Sequence, residues 1–210
     1  MISIEGFVLA GGRSRRMGHN KANLLLGGTT LAERAAKTLS IVANPVFLVG
    51  NFEIEYTSLP IIADEPVGDK GRGAIIGLYT ALLHAKTEWA AVLACDLPFV
   101  SGELLTRMAS LLPQFADSPE DEAGAVLAEQ PDGRLQPLCG LYRRHRCLPE
   151  VEKMLSEDNW RLQGLPDRIG AFVLRFHEIS DMPNASDLFM NVNTPEDYKA
   201  ALLVRSVGQR

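Results

Sequence analysis

The strongest constraint on the fold is an alternation that runs through the first half of the chain. Short apolar runs take turns with stretches of helical period, as a sheet of parallel strands connected by crossover helices requires. "ISIEGFVLA" at 2–10 reads as a first strand and "TTLAERAAKTLSIV" at 29–42 as a helix, with Leu31, Ala35, Leu39 and Val42 on one stripe. Thr30 and Glu33 make a capping box at its start. "PVFLVG" at 45–50 and "LPIIAD" at 59–64 are buried-strand runs, and "AIIGLYTALLHA" at 74–85 returns to helical spacing. "WAAVLACD" at 89–96 reads as a buried strand ended by an aspartate, and "SGELLTRMASLL" as a helix capped by Ser101.

Beyond an acidic, proline-bearing surface loop, "FADSPEDEAG", the order loosens. "AGAVLA", "PLCGLYRR" and "GAFVLRF" suggest strands, "RCLPEVEKMLSE" a helix, and "TPEDYKAALLV" a closing helix with Thr194 as cap and Pro195 in its first turn. We find no repeat, linker or low-complexity tract. The expectation is one α/β domain over residues 1–210, three-layered, with a mostly parallel central sheet.

In such a sheet ligands sit beyond the carboxyl ends of the strands. There the first strand opens into "LAGGRSRRMGHNK" at 9–21. The bare backbone at Gly11 and Gly12 lets N–H groups approach a phosphate closely. Arg13, Arg15, Arg16 and Lys21 supply positive charge, and Gly18 lets the loop reverse. A solvated turn is the plain alternative. A P-loop is excluded by its required spacing and its Lys-Ser/Thr, and "GDKGRG" at 68–73 imitates a dinucleotide fingerprint with no strand ending before it. The formal net charge is −5, so anion binding must be local, and neither nucleic acid nor a membrane is an expected partner. Three cysteines without C-x-x-C spacing, and charge placed after the first apolar run, suggest a soluble cytoplasmic protein.

"LACDLPFV" puts Asp96 at a strand end on the same sheet edge. One or two carboxylates suffice for Mg²⁺ when substrate phosphates and waters complete its octahedron. A capping role for the next segment fits the position equally well.

Here the chain resembles the nucleotidyltransferases that activate small phosphorylated molecules, and within them the molybdenum cofactor guanylyltransferases. The opening loop is similar to L-A-G-G-x-S-x-R-M-G-x-D-K, and the likeness covers nearly the whole chain. It implies a Rossmann-like nucleotidyltransferase fold and transfer of GMP from GTP to the terminal phosphate of molybdenum-molybdopterin, with Mg²⁺ as cofactor. It implies Arg16, Lys21 and Asp96 as catalytic groups, and a nucleotide held by Leu9, Ala10, Gly11, Gly12, Lys21, Asn51, Asp64 and Asp96. Asp96 and Asn193, the latter in "MNVNTPEDY", are the implied metal ligands, while Thr194, Pro195 and Asp197 are explained as a helix start. Asn51 and Asp64 also fit an Asx turn and a loop carboxylate. "GRLQPLCGLYRR" resembles an acceptor-side segment, with Gln136 and Pro137 as the matching pair. Arg134, Arg143 and Arg144 are candidates for an acceptor phosphate, or simply solvated surface. Molybdoenzymes or cofactor-inserting proteins are implied as transient partners.

Asn20 replaces the usual aspartate before the lysine, and Ala74 a usual proline. In the families the chain resembles, L-A-G-G goes with the guanylyl enzymes, so the resemblance implies guanine; a cytidylyltransferase, a sugar-phosphate transferase, or a non-catalytic nucleotide or molybdopterin adaptor are the competing readings.

Overall fold

The computed structural model describes residues 2–11, 21–51, 57–67, 73–115 and 123–207. Among them lies a seven-stranded sheet ordered β3-β2-β1-β4-β6-β5-β7, formed by Ile4–Leu9 (β1), Val46–Val49 (β2), Ile61–Ile62 (β3), Trp89–Ala94 (β4), Ala125–Glu129 (β5), Leu135–Arg143 (β6) and Phe172–Leu174 (β7). β1 pairs in parallel with β2 and β4, β2 with β3, and β5 with β7. β6 alone runs against its neighbours β4 and β5. The mostly parallel expectation holds, and the exception comes from the β5–β6 hairpin, whose short connection forces an antiparallel pair. All six residues of β1 and all six of β4 are buried, as parallel strands covered on both faces must be.

Helices Leu31–Leu39 (α1), Ala74–His84 (α2), Gly102–Ser110 (α3), Arg144–Ser156 (α4), Leu165–Ile169 (α5) and Pro195–Val207 (α6) cover the two faces. Leu31, Leu39, Leu104, Met108 and Ala201 pack with Val8 and Leu93 in one core, and Ile75, Leu78, Val151 and Leu165 pack with Phe7 and Val92 in the other. Each strand thus feeds alternate side chains to opposite cores, giving three layers. The expected caps form. Glu33 N–H donates to Thr30 Oγ1 at 3.2 Å while Thr30 N–H donates to Glu33 Oε2 at 3.0 Å, and Leu104 N–H donates to Ser101 Oγ at 3.2 Å. Of the acidic surface loop expected at 115–124, residues 116–122 lie outside the described residues, while Phe115, Ala123 and Gly124 at its ends are buried. Helix α5 is an addition; its five residues are too few to show a period in the sequence.

The strand order places a switch point between β1 and β4. From β1 the chain turns through α1 to β2 on one side, whereas β4 flanks β1 on the other. The carboxyl ends of these two strands therefore border a crevice, the usual ligand position in an open α/β sheet.

Candidate nucleotide site

Two chain segments leave the sheet at this crevice. After β1, Ala10 N–H and Gly11 N–H donate to Val49 O at 2.9 and 3.2 Å, so the opening loop starts with its direction fixed by β2. After β4, Cys95 N–H donates to Leu9 O at 3.0 Å, which holds the following Asp96 beside the end of β1. Gly12 and Arg16, like Arg13, Arg15, Gly18 and Asn20, lie outside the described residues.

Lys21 re-enters as the first residue of a 3-10 turn, Lys21–Asn23. Its ammonium stands 3.6 Å from Asp96 Oδ2 and donates a short hydrogen bond to Asn193 Oδ1. Three residues from distant parts of the chain thus meet at one point. The C-terminal segment reaches it through two main-chain bonds. Val192 N–H donates to Asp96 O at 2.9 Å, and Asn193 N–H donates to Asp197 Oδ2 at 2.9 Å. Asp197 also accepts from Thr194 N–H at 2.8 Å while its own N–H donates to Thr194 Oγ1 at 3.1 Å. These bonds, Asn193 N–H first, hold the Asp197 carboxyl below the usual range. The helix start read in the sequence is therefore also the bracket that carries Asn193. Asn191, by contrast, spends its amide on Phe189 O at 3.3 Å.

Asp96 is unevenly surrounded. Some 21 % of its side chain stays exposed, yet Oδ1 is covered and has no hydrogen-bond partner among the described residues. Burial pushes its carboxyl pKa up, and the Lys21 ammonium opposes that shift. An orphaned carboxylate oxygen is costly unless something else satisfies it. With Asn193 Oδ1 nearby, the donor set is hard oxygen, the chemistry that suits Mg²⁺.

A second group gathers at the ends of β1 to β3. Gly50 N–H donates to Ile62 O at 3.0 Å, bringing Asn51 and Asp64 to the same edge as Gly11. A Cβ added to Gly11 would lie 3.1 Å from both Asp64 Oδ2 and the Gly50 Cα, so only glycine lets the backbone pass there unhindered. Burial raises the Asp64 carboxyl pKa, and the Asn51 backbone N–H lowers it. Helix α2 begins behind Gly73, whose φ of 138° excludes most side chains, and no side chain caps it. The positive end of its dipole makes the edge still more favourable to anions. Ala74 serves there as the first helical residue.

Not every candidate belongs to this edge. Arg143 pairs with Trp89 at the opposite end of β4, where it bonds Glu88 Oε1 at 2.6 Å and lies over the Trp89 ring. Arg144 donates to Leu82 O at 3.0 Å. Because β6 runs antiparallel, its end lies at the opposite end of the sheet from Gly11 and Asp96, so neither arginine reaches the crevice. Gln136, at the start of the same strand, is on the correct side and buried. Arg134 is exposed and paired with Asp132. One positioning residue gave no sequence signal: Arg34 of α1 donates its Nε–H to Pro98 O at 2.6 Å, bracing the turn that follows Asp96.

Residues 6–168 match the MobA-like NTP transferase domain. The chain belongs to that family. It is a nucleotidyltransferase. A "Probable molybdenum cofactor guanylyltransferase" from Carboxydothermus hydrogenoformans is 33% identical over 100% of both chains. A "Molybdenum cofactor guanylyltransferase" from Desulfosudis oleivorans is 28% identical over 100% of this chain and 99% of its own. Among solved structures, molybdopterin-guanine dinucleotide biosynthesis protein A from Archaeoglobus fulgidus superposes with a TM-score of 0.77 at 23% identity, covering 97% of this chain and 99% of that one. A 4-diphosphocytidyl-2C-methyl-D-erythritol synthase from Anaerococcus prevotii gives 0.68 at 14%, covering 98% and 96%. These two likenesses establish the Rossmann-like nucleotidyltransferase fold.

Proposed function

We propose that this nucleotidyltransferase moves GMP from GTP onto the terminal phosphate of molybdenum-molybdopterin and releases pyrophosphate. What carries the reading is the meeting of Lys21, Asp96 and Asn193 beyond β1 and β4, in a chain whose full-length relatives bear the guanylyltransferase name. An acceptor phosphate oxygen forms a bond to the α-phosphorus as the bond from that phosphorus to the β-phosphate bridging oxygen breaks. Such a displacement needs positioning and charge neutralisation more than covalent help. The backbone of Leu9, Ala10, Gly11 and Gly12, with Arg16 and Lys21, cradles the triphosphate and offsets charge developing on the leaving pyrophosphate. Asp96 and Asn193 would hold Mg²⁺, which when bound supplies Lewis-acid neutralisation of phosphate oxygens. Since Asn193 Oδ1 accepts from Lys21 in this structure, the arriving phosphate takes over the ammonium and frees that oxygen. Asn51 and Asp64 face the base or ribose. In this reading the reaction runs in the cytoplasm, with molybdoenzymes or cofactor-inserting proteins as transient recipients.

Pyrophosphate release from GTP and from CTP, with molybdopterin and Mg²⁺, tests the reading. Lys21→Met and Asp96→Asn should each lower GTP turnover at least ~100-fold, the size of losing one oriented charge in a transition state, and EDTA should abolish it until Mg²⁺ is restored. Faster turnover of CTP would overturn the guanine assignment. Nucleotide binding without any pyrophosphate release would overturn the proposed reaction.

A further inference from the structure

Thr80 is 0 % exposed, a hydroxyl in the middle of α2 among Ile75, Leu78, Ala81 and Leu82, all buried. The proposed chemistry does not use it, and a buried hydroxyl is retained only when something satisfies it. Its Oγ1 accepts from Glu65 N–H at 2.9 Å, across 15 residues of chain. One turn later, His84 Nε2 meets Glu65 Oε1 at 2.8 Å. Residues spaced i and i+4 project from one face of a helix, so α2 grips both the main chain and the side chain of Glu65.

Asp64 is the residue immediately before this grip. On its other side the chain is held by β3 and by the bond from Gly50 N–H to Ile62 O. The stretch 63–67 has no secondary structure of its own, so these two anchors decide where the Asp64 carboxylate stands against Gly11 and Asn51. We propose that Thr80, assisted by His84, is a positioning residue for nucleotide selection: by clamping Glu65 it sets the Asp64 carboxylate at the distance from the opening loop that the base or ribose requires. This inference rests on the reading of Asp64 as a nucleotide contact, and its test separates the two.

Titrations with GTP, ITP and 2′-deoxy-GTP report the base edge and the ribose separately. Asp64→Ala should reduce the preference for GTP over one of the two analogues. Thr80→Val, nearly isosteric but unable to accept the Glu65 N–H, should reduce that same preference by about tenfold and raise KM for GTP far more than it changes kcat, whereas Thr80→Ser should restore it to within about threefold. His84→Ala, an exposed change that leaves the core intact, should move the same ratio by about threefold, and it carries the test if Thr80→Val does not fold. Unchanged preferences in Asp64→Ala would remove the premise and the inference with it. A shift in Asp64→Ala with none in the Thr80 and His84 variants would leave the Asp64 reading standing and overturn the clamp. A lower melting temperature in Thr80→Val with the preference intact would likewise overturn it, since a merely structural threonine would behave that way.

Discussion

Removing the Asp197 carboxylate should separate the capping of α6 from the positioning of Lys21. Oδ2 of Asp197 accepts two main-chain N–H groups, from Asn193 at 2.9 Å and Thr194 at 2.8 Å. In Asp197→Ala both donors lose their partner. Asn193 is exposed, so water replaces its lost bond at little cost, whereas half-buried Thr194 pays more of the penalty. Thr194 still accepts from the residue 197 N–H, so the loss is that of two accepted bonds, together about 1.5 kcal/mol. For a chain of this size that is a fall in Tm of roughly 3–6 °C. The same change unties the residue whose amide oxygen holds the Lys21 ammonium. We expect kcat/KM for GTP, measured well below the melting range, to fall about tenfold, equivalent to ~1.4 kcal/mol of transition-state stabilisation. Asp197→Asn keeps one acceptor oxygen and should fall between wild type and alanine in both measurements. Thermal melts and pyrophosphate release on the same preparations supply the two readouts. An unchanged Tm would refute the cap; a lowered Tm with kcat/KM intact would refute the claim that the cap positions Asn193.

Two further outcomes follow from other contacts. Gly11→Ala should weaken GTP binding about tenfold by titration with little change in Tm, because its Cβ would press on Asp64 Oδ2 and on the Gly50 main chain, both 3.1 Å away, where ordinary packing leaves more room. Hydrogen bonds from Thr30, the backbone one foremost, hold the Glu33 carboxyl below the usual glutamate range; a lowered folded-state value gives stability that is present above the unfolded value and lost as pH falls through the folded one. Melts from neutral pH downward should therefore show wild type above Glu33→Gln by roughly 0.5 kcal/mol, with the gap closing below about pH 4.3.

What could be read from the chain alone follows the range of the interactions involved. Caps and periods are local. Thr30 with Glu33, or Ser101 three residues before Leu104, announces a helix within a single turn, and α1 and α3 begin where those residues stand. The buried runs of β1 and β4 were equally plain, because a strand covered on both faces has no polar side to hide. Antiparallel β6 escaped the same logic, since a buried run carries no mark of direction. That one reversal sends Arg143 and Arg144 to the wrong end of the sheet while leaving Gln136 at the right one. Gly11, Asn51, Asp64 and Asp96 lie just beyond strand ends, which pattern alone locates; their meeting depends on strand order, which it does not. Lys21 and Asn193 are separated by 172 positions, and their contact exists because Val192 N–H docks on the Asp96 carbonyl, a main-chain bond indifferent to side-chain identity. Thr80 was hidden for the opposite reason. Its hydroxyl sits on the buried stripe of a helix, where a period of apolar neighbours accounts for the segment without it, and only the partner across the fold explains why that position is polar. Contacts made by main-chain groups, or by one polar atom inside an apolar pattern, are those that sequence periodicity averages away, and in this chain they are the ones that set the geometry of the crevice.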